Sequence, residues 1–81
     1  MPVVAFKQNP ITQEFEGKAK NILKGELKRR GITYAGLVEK LATIGVQETE
    51  RNLANKISRG GFTAAFFLQV MQAIGADSVR L

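Results

Sequence analysis

Gly31, Gly45, Gly60 and Gly75 each follow a stretch in which apolar residues recur at helical spacing. Glycine is the usual residue where a helix ends in the left-handed region, because a Cβ is disfavoured there. This punctuation predicts an all-α chain of four short helices packed as one compact domain. The 81 residues leave no room for a separate catalytic module. A chain this small buries only about 60% of its unfolded surface, so its core must be efficient or shared with a second copy. A 44% hydrophobic and 23% charged composition is ordinary for a globular domain.

The helix starts are marked as clearly as the ends. Asn9 and Pro10 read as a cap and first helical position, opening a helix from about Pro10 to Arg30. Ile11, Phe15, Ala19, Ile22, Leu23 and Leu27 fall along its apolar side, and Lys20, Lys24 and Lys28 form a basic row opposite. Thr33 caps a second helix, Tyr34 to Ile44, with Ile32 reaching Leu37 as a hydrophobic staple. A turn at Gly45, Val46 and Gln47 leads to a third, Glu48 to Arg59. Phe62, Thr63 and Phe67 repeat the staple logic ahead of a largely apolar fourth helix, Ala64 to Ile74. That helix is either the centre of the core or part of a dimer seam. The domain thus divides into an N-terminal arm at 1–9, in which Val3, Val4 and Phe6 suit a short strand, a helical core at 10–75, and a tail at 76–81 that is frayed or an edge strand.

The third helix is the polar one. At 100° per residue only Leu53 and Ile57, with Ala54 at the margin, define an inward face. Glu48, Arg51, Asn52, Asn55, Ser58 and Arg59 lie opposite, with Lys56 flanking. Arg, Asn and Glu are the side chains whose donors and acceptors match the major-groove edges of guanine, adenine and cytosine.

Twelve Lys and Arg against seven Asp and Glu give a net charge of +5, which points to an anionic partner without naming it. Cys and His are absent, which removes disulfides, thiolate or imidazole metal ligands and the commonest general base. The seven carboxylates form no paired motif, so the expectation is no enzyme, no cofactor and no metal. No apolar run approaches the roughly 20 residues of a membrane span, and no secretory signal is evident, so a soluble cytoplasmic protein is expected.

The stretch L-K-R-R-G-I-T-Y-A-G-L-V-E-K-L, Leu27 to Leu41, resembles the end of the first helix and the second helix of phage-repressor and Cro-like helix-turn-helix proteins. I-S-R-G, Ile57 to Gly60, resembles the close of their recognition helix, and Phe67 to Gly75 their fourth helix. The likeness spans about Ile22 to Gly75. It departs from the pattern between Leu37 and Arg59, where about six extra residues are expected to lengthen the second helix and the start of the third. N-K-I-S-R-G-G-F, Asn55 to Phe62, also resembles a run in a family of small uncharacterised bacterial proteins.

The resemblance implies a lambda-repressor-like fold and a transcription regulator that binds double-stranded DNA, reading a palindrome as a homodimer. Glu48, Thr49, Arg51, Asn52 and Asn55 would then contact bases. Lys28, Arg29, Tyr34, Lys56 and Arg59 would contact phosphates. The alternative is a protein-interaction module, antitoxin-like or of phage accessory type, that binds a protein through helix 64–74 or the N-terminal arm. For the basic residues a solvated helix face is the competing reading, and for Phe62, Phe66 and Phe67 the core is favoured over base stacking.

Overall fold

A computed structural model describes residues 9–79 and residue 81. It is all-α, with α1 (Pro10–Arg29), α2 (Tyr34–Thr43), α3 (Glu50–Arg59) and α4 (Ala64–Ile74), and no strand among the described residues. The proposed strand at Val3, Val4 and Phe6 lies outside the described residues. After α4 the backbone is irregular, and Ala76 and Val79 pack against the core.

Three of the four helices start where the sequence marks them; the third, expected from Glu48, begins at Glu50 with Thr49 as its cap. The Asn9 Oδ1 accepts from the Ile11 amide at 2.9 Å, with Pro10 at the first helical position. Thr33 and Thr63 hydroxyls accept from the Gly36 and Phe66 amides, each at 3.0 Å. Such caps satisfy amides that have no partner inside the helix and stabilise each start by about 1 kcal/mol. The stapling aromatic pair is present, with the Phe62 and Phe67 rings stacked at a centroid distance of 6.2 Å.

The core joins Leu23 and Leu27 of α1, Leu37 and Leu41 of α2, Leu53 and Ile57 of α3, and Phe66, Val70, Met71 and Ile74 of α4. α3 packs against α1 and α2, and α2 also packs against α4. The fourth helix is therefore a core element. Its four buried side chains face inward, and Leu68 is its one strongly exposed large apolar residue.

Two expectations are corrected. The residues in excess of the repressor-like spacing extend neither α2 nor α3; they form a connection from Ile44 to Thr49. Gly45, at φ +85°, ends α2 early, Val46 turns back against the core, and Thr49 adopts an extended conformation to cap α3. The apolar side of helix one, read as continuous from Ile11 to Leu27, is covered only in its second half. Ile11 and Phe15 are 63% and 62% exposed.

The end of α3 explains that exposure. Gly60 follows α3 with φ +71° and is buried against the backbone of Glu16 in α1. α3 ends at that contact, and among the described residues the side chains of α1 before Glu16 at Ile11 and Phe15 stay uncovered. A Cβ on Gly60 would lie 2.2 Å from the Glu16 carbonyl oxygen, whereas one on Gly31, also at positive φ, would meet nothing within 4 Å. Gly31→Ala is expected to cost about 1 kcal/mol from the left-handed backbone alone. Gly60→Ala should cost well above about 2 kcal/mol, since α1 must also move, as measured by urea denaturation of both variants. Equal losses would show that the contact with Glu16 does not constrain the fold.

Candidate nucleic-acid interface

α3 is anchored by Leu53 and Ile57, both fully buried, and little else on it turns inward. Arg51, Asn52, Asn55, Lys56, Ser58 and Arg59 are all exposed, and Ala54 is half-buried. The Thr49 hydroxyl accepts from the Asn52 amide at 3.1 Å, and the Ser58 hydroxyl donates back to the Asn55 carbonyl. Arg51, Asn55, Ser58 and Arg59 lie within about 100° of one another around the helix, with Asn52 at the edge. Within the described residues neither Arg51 nor Arg59 has an ion-pair partner. The face thus offers two free guanidinium forks and two amides, each able to donate and accept.

Glu48 and Thr49 stand apart from that face. The sequence places both on the third helix, but α3 begins only at Glu50, Thr49 is its cap, and the Glu48 side chain is only 8% exposed. The Glu48 carboxylate accepts from the Lys56 ammonium, which also lies 5.0 Å from the centre of the Phe66 ring. Lys56 therefore ties the connection before α3 to α3 itself and to α4. Its charge, expected on a phosphate, is already engaged within the chain.

The remaining phosphate candidates divide in the same way. Lys28 and Tyr34 come together around a shallow cavity of about 340 Å³ that Lys24, Leu27, Ile32 and Thr33 also line. Lys24 joins this group because its spacing of four from Lys28 puts both on one side of α1. Arg29, by contrast, donates to the buried carboxylate of Glu26 at 2.5 Å, and Arg30 reaches the other oxygen at 3.3 Å. The sequence signal for this structural role of Glu26 is its offset of three and four from the two arginines.

The described residues contain no group of three or more carboxylates placed to hold a metal. None of their helices is long and apolar enough to cross a membrane.

Residues 15–79 match a family described as a domain of unknown function, DUF6471. The chain belongs to the DUF6471 family. The match takes in α1 from Phe15 onward, the whole of α2, α3 and α4, and both groups of candidate residues, so the arrangement around α3 belongs to the DUF6471 domain itself. No curated protein and no solved structure matches the chain.

Hydrogen bonding from Arg29 chiefly, aided by the charges of Arg29 and Arg30, holds the Glu26 carboxyl below the usual glutamate range in spite of its burial. A carboxyl with a lowered folded-state pKa stabilises the fold above its unfolded value and loses that contribution as pH falls through the folded one. Wild type should therefore be more stable than Glu26→Gln at neutral pH, and the gap should close on acidification below the ordinary glutamate range. Thermal denaturation of both proteins across that range checks this, and a gap independent of pH would contradict it.

Proposed function

We propose that the protein is a DNA-binding regulator of helix-turn-helix type, acting in the cytoplasm, in which α3 enters the major groove of duplex DNA. The observation that carries the reading is the outer face of α3, where Arg51, Asn52, Asn55 and Arg59 are exposed on a helix held by only two buried side chains. A ten-residue helix is about 15 Å long and 10 to 12 Å across with its side chains, which suits a groove about 12 Å wide. Arg51 and Asn55 lie one turn apart, the spacing at which two side chains reach neighbouring base edges. Arg51 is assigned to guanine, and Asn55 and Asn52 to adenine.

The structure changes the emphasis among the other candidates. With Glu48 and Lys56 paired to each other, base reading falls to Arg51, Asn52 and Asn55, and Thr49 serves as the cap that orients them. Phosphate contact falls to Arg59 at one end of α3 and to Lys28, Lys24 and Tyr34 beside the start of α2. The net charge of +5 supports approach to a polyanion. One domain touches few base pairs, so a homodimer on a palindrome with half-sites about 34 Å apart is the form in which such a reader gains specificity.

A protein-interaction role remains the second reading, favoured by the exposed Ile11 and Phe15 rather than by α4, whose apolar side is mostly covered.

Selection from a randomised duplex pool at two salt concentrations tests the first reading. Wild type should enrich a palindrome, and Arg51→Ala or Asn55→Ala should lose about 1 to 3 kcal/mol on it and relax preference at one position per half-site. Arg59→Ala should weaken all duplexes alike and flatten the salt dependence, whereas Lys56→Ala should do so less, its charge being held by Glu48. Binding without enrichment would remove base reading, and no binding at low salt would remove DNA as the partner.

A further inference from the structure

The first turns of α1 carry an apolar surface that nothing in the described chain covers. Ile11 and Phe15 are 63% and 62% exposed, Ile22 is half-buried, and all three fall within about 40° around the helix. Alongside them runs an open groove of about 690 Å³, lined among others by Glu14, Phe15, Gly17, Lys18 and Ile22. The core side of the helix lies elsewhere, at Leu23 and Leu27.

The order of residues on this face says what covers it. Ile11 and Ile22 are about three turns apart, and Phe15 lies between them. A twofold axis placed between Glu16 and Gly17, perpendicular to α1, sets Ile11 level with Ile22 of a second, antiparallel copy. The same axis leaves the two Phe15 residues about 4.5 Å apart along the helices and Glu14 within about 1.5 Å of rise of Lys18 on the other copy. Such an axis also lays each edge of the face against the same edge of its mate, so apolar residues meet apolar ones. One placement thus matches the isoleucines, the phenylalanines and both charge pairs. The face is complementary to itself.

We infer that the N-terminal half of α1 is the surface through which two copies of this chain associate, antiparallel, with Phe15 at the centre and reciprocal Glu14–Lys18 pairs beside it. The inference rests on the homodimer part of the function proposed above, and its test uses no DNA, so a monomeric protein leaves single-copy DNA binding standing.

Sedimentation equilibrium of the full chain from micromolar to submillimolar concentration is the experiment. Wild type should be a monomer–dimer mixture. Phe15→Asp should be monomeric throughout with an unchanged circular dichroism spectrum, and should melt where wild type melts at concentrations low enough for wild type to be monomeric, because the ring is outside the core. Glu14→Lys and Lys18→Glu should each weaken association by roughly two- to thirty-fold, and an equimolar mixture of the two should regain it as a heterodimer. A monomeric wild type overturns the inference, with the face then left to residues 1–8 or to another protein. A dimer that survives Phe15→Asp overturns it too, as does a mixture of charge variants no tighter than either alone.

Discussion

Two buried side chains set the terms for the rest of this domain. Leu53 and Ile57 are the inward residues of α3, and both are completely covered by the helices around them. Each contributes about 1.5 to 3 kcal/mol of burial, enough to hold a short helix against a preformed core. Because two positions suffice, the others on α3 are released from packing, and they are filled with arginine, asparagine and serine. The division of labour among the helices follows from this. α4 supplies the most core side chains, α1 and α2 flank α3, and α3 presents a polar outer face.

A helix with so few anchors needs its orientation fixed at both ends. At its start the Thr49 cap and the Glu48–Lys56 pair bind the preceding connection to the helix, and the Lys56 ammonium beside Phe66 extends that tie to α4. At its finish Gly60 allows the backbone of Glu16 to come within the space a side chain would occupy. Local ion pairs elsewhere have a similar effect on charge. Glu26 holds Arg29 and Arg30 against α1, so the basic surface is less uniform than the net charge implies. The proposed DNA contacts rest on cationic groups, Arg51, Arg59, Lys24 and Lys28, that have no ion-pair partner among the described residues.

Most of the fold was legible from local signals. Three cap residues, Asn9, Thr33 and Thr63, and four glycines lie where the sequence marks helix starts and ends, because capping and positive φ depend on the chain's immediate chemistry. Helix periodicity likewise identified Leu53 and Ile57 as the anchors of α3. What it missed depended on contacts between elements. No local rule says that Glu48 leaves the helix to meet Lys56, or that residues between Ile44 and Thr49 form a connection instead of added helical turns. Periodicity also placed Ile11 and Phe15 on an apolar side without showing that α3 ends short of them. The outer residues of α3 were legible as a group, whereas the engagement of Arg29 and Lys56 within the chain was not.

Contact between the outer face of α3 and duplex DNA is read most directly by an amide-resolved NMR titration of the labelled protein with DNA. The largest shifts are expected at Arg51, Asn52, Asn55, Ser58 and Arg59, with a second group from Lys24 to Tyr34, and little change at Ile11 and Phe15. Shifts confined to the first turns of α1, or none at low salt, would contradict it.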